Sequence, residues 1–98
     1  MTKATLILTA DEVREELSLD ADSMSVGDAM ALSQYASDKI LMATGHDFGN
    51  DSKPSSIAVE TAKTIVYQRF YKLADNDGIL RNLLAECQDV AREIERGS

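Results

Sequence analysis

Apolar side chains recur at three- and four-residue steps in three long stretches of the chain, the spacing that puts them on one face of an α-helix. In the first, from about 26 or 27 to 43, the repeat is Ala29, Leu32, Ala36, Ile40 and Ala43, flanked by Met30, Tyr35, Leu41 and Met42. The second opens near Pro54, a residue suited to the first turn of a helix, with Ser52 as its candidate cap. Its face is Ala58, Ala62, Ile65, Val66, Phe70 and Leu73, and Tyr67 and Tyr71 stand one turn apart. The third, from about 79 to 96, carries Leu80, Leu84, Cys87, Ala91 and Ile94, widened by Leu83 and Val90. Two heptads are too few to demand a coiled coil, so this stripe packs on the core or on a neighbouring subunit. A shorter helix precedes all three. There Thr9 and Glu12 have the spacing of a capping box, and Val13 and Leu17 give one buried edge. Residues 18–25 lack periodicity and form a loop, residues 44–51 are a turn cluster with Gly45 ending a helix, and Asp75-Asn76-Asp77-Gly78 breaks the chain again. The pattern predicts an all-α fold, a small bundle of about four helices with a short first helix and three longer ones. Residues 1–8 form a short N-terminal arm of this single domain, 1–98.

Length and charge narrow what such a bundle does. Ninety-eight residues make one domain. Ten Lys and Arg against 17 Asp and Glu give a formal charge of -7, which disfavours a nucleic-acid binder that must neutralise phosphates, and an anionic membrane surface. No apolar run approaches the ~18 residues of a membrane span, and the N-terminus lacks the apolar stretch of a secretory signal, so a cytoplasm-like compartment is expected. The acidity is local. Residues 10–28 hold seven acids against Arg14 alone, a net of -6, whereas residues 54–73 hold Lys63, Arg69 and Lys72 against Glu60, a net of +2.

Candidate chemistry is sparse. His46, the single histidine, lies in the turn cluster beside Asp47 with no nucleophile near in sequence, and is expected to be solvated. Cys87, the single cysteine, sits on the apolar stripe of the last helix, excludes an internal disulfide, and is expected to be a buried small hydrophobe. Calcium-loop spacing fails twice: from Asp75, Ile79 and Leu80 occupy positions needing an oxygen ligand and a glycine; from Asp20, Met24 and Ala31 occupy ligand positions. Single, scattered glycines make neither a phosphate loop nor a dinucleotide fingerprint. A helix-turn-helix is disfavoured by the long 45–53 loop and the three cations of the third helix. No catalytic, metal or cofactor site is expected.

The order of short motifs resembles one family. Leu8-Thr9-Ala10-Asp11-Glu12-Val13 through Leu17-Ser18-Leu19-Asp20 resembles the start of the small head-to-tail connector proteins of long-tailed double-stranded DNA bacteriophages. Ile40-Leu41-Met42-Ala43-Thr44-Gly45-His46-Asp47-Phe48 is similar to that family's helix ending in Thr-Gly, a basic residue, Asp and an aromatic. Pro54 with Ile57-Ala58-Val59, then Phe70-Tyr71 before a polar break, matches its third helix. The resemblance covers about residues 6–84. Two departures stand out: the tryptophan that the family often carries near Phe70 is absent, and the chain continues as helix beyond Leu83-Leu84 to Arg96.

The resemblance implies a structural virion protein without catalysis or cofactor, forming a ring beneath the portal of a phage head. Its partners would be the portal protein, a tail or stopper protein and further copies of itself. DNA would pass through without specific binding, no membrane would be involved, and the protein would reside in the host bacterial cytoplasm during assembly and then in the virion. A ring needs two different patches on each subunit. The acidic first helix, with Asp11, Glu12, Glu15 and Glu16, is expected to face Lys63, Arg69 and Lys72 of the next subunit, and Asp20, Asp22 and Asp28 are the candidate channel-facing acids. The alternative is a small acidic helical regulator or adaptor, antitoxin-like, that binds one protein partner.

Overall fold

The computed structural model describes residues 3–97, and within them it is all-helical. Four helices, α1 (Ala10–Glu16), α2 (Val26–Thr44), α3 (Ser56–Phe70) and α4 (Ile79–Arg96), are joined by loops, with a 3-10 turn at Phe48–Asn50. α2 packs against all three other helices, and α3 also packs against α1 and α4. This is the expected small bundle. No helix among the described residues is long and apolar enough to cross a membrane.

Local chemistry sets most of the boundaries. The capping box of α1 forms in both directions: Thr9 Oγ1 accepts from the Glu12 amide at 3.2 Å, and Glu12 Oε1 accepts from the Thr9 amide at 3.0 Å. Ser25 caps α2, accepting from the Asp28 amide, and Gly45 ends it at φ +75°, where a side chain would be strained. α3 starts later than expected. Ser55 keeps an extended ψ of 141° and its carbonyl accepts the first helical bond, from the Val59 amide, so Pro54 lies before the helix and Ser52 caps nothing.

The core is built largely from small side chains. Ala29, Ala36, Ala58, Ala62 and Ala91 are buried together with Ser33, Ser37, Thr61 and Cys87, and Leu8, Ile40, Phe48, Ile65 and Val66 fill the larger spaces. Phe70 and Leu73, expected on the buried face of α3, are exposed. Phe70 lies eight residues beyond Ala62 and therefore about 80° further round the helix, while Leu73 follows the turn that ends it.

Residues 4–8 of the arm are docked; Met1 and Thr2 lie outside the described residues. Ala4, Ile7 and Leu8 are buried, and the backbone between them is held by side chains of α2 and the following loop. The Ala4 amide donates to Asp38 (2.8 Å), the Ile7 amide donates to Ser37 Oγ (3.0 Å), and the carbonyls of Ala4 and Leu8 accept from Gln34 Nε2 and Ser33 Oγ (both 2.7 Å). At Thr5 the amide and the hydroxyl both donate to Asp47. Gly49 lets the 3-10 turn touch this strap, since a Cβ there would stand 2.1 Å from the Thr5 carbonyl oxygen. Ser37→Ala strands the buried Ile7 amide, and Gly49→Ala pushes the strap out. Each is expected to destabilise the fold by about 1–3 kcal/mol in urea unfolding, and an unchanged midpoint would show that the strap adds no stability.

Candidate functional site

The two residues with reactive side chains serve packing. His46, expected to be solvated, is instead half-buried: its Nε2 lies 2.9 Å from Asp51 Oδ2 and its ring meets Phe48 edge-on at 4.6 Å. The loop folds back so that a residue five positions on reaches the imidazole. Cys87 is buried as expected, with its Sγ 3.2 Å from Thr61 Oγ1. Burial pushes its thiol up, the Thr61 contact opposes that, and the nearby Glu86 charge adds to it. Among the described residues no three His, Cys, Asp or Glu side chains stand close enough to share a metal ion.

The seven acids of residues 10–28 have different environments. Asp11 pairs with Arg14 at 3.2 Å, and Glu12 is held in the capping box. Asp20 Oδ1 accepts from the Asp22 and Ser23 amides, and hydrogen bonds from Ser23 hold its carboxyl below the usual carboxylate range. Asp28 borders a groove shared with Met24, Arg69 and Phe70, and Glu16 one shared with Thr64 and Tyr67. Glu15 and Asp22 are exposed, and among the described residues their carboxylates have no partner.

Two of the three expected cations come together, and a third joins from elsewhere. Arg69, Lys72 and Lys39 line a cavity of about 250 Å³ with Tyr35, Ile65 and Leu80. The Arg69 guanidinium stacks on the Tyr35 ring at 4.6 Å from its centroid, and Lys39 Nζ lies 5.7 Å from the same centroid. Lys63 is six residues from Arg69, about 120° round the helix, and is not part of this cavity. Sequence spacing within α3 could not bring in Lys39, which belongs to α2. None of the three cations makes an ion pair among the described residues.

Around this cavity lies an aromatic surface. The chain has five aromatic residues, and only Phe48, 1% exposed, is in the core. Tyr35, Tyr67, Phe70 and Tyr71 are 37%, 44%, 37% and 45% exposed. They form one surface: Tyr67 and Phe70 both contact Tyr71, at 4.8 and 5.0 Å between centroids, and Phe70 shares a groove wall with Arg69 and Tyr35. Leu73 and Ile79 extend it as exposed aliphatics. Aromatics and arginine are the side chains that dominate binding energy at protein interfaces, and lysine-lined rims add charge selectivity.

Two backbone devices shape this end of the bundle. α3 closes with bonds from the Lys72 amide to the Arg69 carbonyl and from the Leu73 amide to the Gln68 carbonyl, with Lys72 at φ +55°. Glycine is the usual occupant of that position, so the lysine is held at a steric cost. The start of α4 is capped from outside the helix. Asp75 Oδ1 accepts from the Leu80 amide and Gln68 Nε2, and its Oδ2 accepts from the Arg81 amide.

Comparison with known protein families, curated proteins and solved structures finds no match to this chain.

Lys72→Gly is expected to stabilise the fold by roughly 0.5–1 kcal/mol in urea unfolding; a loss of stability would show that Lys72 carries no strain. The Leu80 amide, ahead of the Arg81 amide and Gln68, holds the Asp75 carboxyl below its usual value. A depressed folded pKa gives stability that is complete above the unfolded carboxylate value, near 3.9, and lost as pH falls through the folded value. Wild type should therefore lose stability on acidification more steeply than Asp75→Asn, measured by unfolding midpoints across that range; parallel profiles would contradict the cap.

Proposed function

We propose that this chain is a structural adaptor subunit that forms a ring between the portal of a bacteriophage head and the tail or stopper, extending the DNA channel. One observation carries the reading: four of five aromatic residues lie on one exposed surface beside three cations that, among the described residues, have no carboxylate partner. Exposing that much ring area costs stability, and the cost is recovered when a partner covers it. The ordered motifs that resemble phage connectors, spread over about residues 6–84, supply the identity of the partner. The acidic balance fits the same role, since phosphates passing an acidic wall find no cation to hold them. The role is architectural, exercised in the bacterial cytoplasm during assembly and then in the virion.

Electron microscopy of the purified chain mixed with portal rings from the same phage tests this directly. The expected result is a second ring seated on the portal. The double variant Tyr35→Ala/Phe70→Ala should keep its unfolding midpoint and bind about 30-fold more weakly, as removal of interface hot spots does. A one-to-one complex with a single soluble partner, and no ring on portal, would replace this reading with the regulator.

A further inference from the structure

The cavity between α2 and α3 poses an electrostatic problem that the subunit does not solve alone. Lys39, Arg69 and Lys72 converge on it in a chain with 17 acids, yet among the described residues no carboxylate pairs with them. Among the described residues no acid lines the cavity, and the acids of the neighbouring grooves are engaged elsewhere. Asp38 accepts from the Ala4 amide and Gln34, and Asp75 accepts from the Leu80 and Arg81 amides. Asp28 shares a groove with Arg69 without forming an ion pair. Three like charges around one cavity repel one another, and a carboxylate arriving from outside removes that repulsion while meeting a guanidinium already stacked on Tyr35.

We infer that the occupant is a second copy of this chain, docking Glu15 and Asp22 of its acidic surface onto Lys39, Arg69 and Lys72. Charge complementarity selects the surface, and elimination selects the residues. Among the acids of residues 10–28, Asp11, Glu12 and Asp20 are spent on Arg14, the helix cap and the 20–23 turn, and Asp28 and Glu16 face grooves of their own subunit. Glu15 and Asp22 are exposed, line neither of these grooves, and among the described residues their carboxylates have no partner. The contact joins unlike patches, as closure into a ring requires. It rests on the connector reading for that ring geometry only.

The test is a charge exchange. One variant carries Lys39→Glu and Lys72→Glu, the other Glu15→Lys and Asp22→Lys, and self-association is measured by sedimentation and by amide NMR at roughly millimolar concentration and low salt. Wild type is expected to associate, with shifts at residues 35–39, 69–72, 15 and 22; each variant alone should associate about tenfold more weakly; and the mixture should recover the wild-type strength. A monomeric wild type, or a mixture no stronger than its components, overturns the contact. Inorganic phosphate is titrated in parallel. Saturable shifts at Lys39, Arg69 and Lys72, with association unaffected by Glu15→Lys and Asp22→Lys, would make the cavity a small-anion site and overturn it equally. Rings that still form on portal with both variants refute this contact and leave the connector reading; a recovered mixture without any binding to portal does the reverse.

Discussion

Alanine ends at Cβ, and a core that buries Ala29, Ala36, Ala58, Ala62 and Ala91 lets its helices approach closely and leaves little room for aromatic rings between them. That close approach governs the rest of the molecule. It leaves Phe48, at the edge of the helices on a 3-10 turn, as the one buried ring, and it places Tyr35, Tyr67, Phe70 and Tyr71 outside. It also buries the hydroxyls of Ser33, Ser37 and Thr61, which then need partners. Thr61 bonds back to the Ile57 carbonyl, and the two serines take the backbone of the N-terminal strap.

The strap and the surface patch are two answers to the same shortage of core volume. The strap adds Ala4, Ile7 and Leu8 to a core short of large side chains, and side-chain hydrogen bonds replace the ladder that an extended segment would find in a sheet. On the surface, the exposed rings are ordered by one another and by Arg69 rather than by burial. A lysine in left-handed backbone at the close of α3 puts a third charge beside them at a local steric cost. Rings, charge and strained backbone thus lie together on one surface.

Elements written in local chemistry were legible in the sequence. The Thr9–Glu12 capping box, Gly45 at the end of α2, the apolar stripe of α4 and the burial of Cys87 each depend on residues within a few turns. What escaped depends on tertiary placement. Ser33 and Ser37 stand four apart, one step from the apolar stripe of α2, a spacing that marks a buried hydroxyl pair only once the strap is known to lie on it. The half-burial of His46 follows from a loop that folds back so that Asp51 reaches it, and Asp75, within the expected break, is the cap of α4. The cationic site was half legible. Arg69 and Lys72 stood out by charge, but Lys63 lies round the helix and Lys39 enters only through packing of α2 on α3.

The central claim is that the aromatic and cationic end of α3, with the facing edge of α2, is left unburied for a partner. Hydrogen–deuterium exchange of the chain, alone and mixed with the proposed portal partner, addresses it without altering any residue. The expected result is new protection concentrated at residues 35–39 and 67–73. Protection confined to the outer face of α4, with those two segments exchanging as in the free chain, would contradict it.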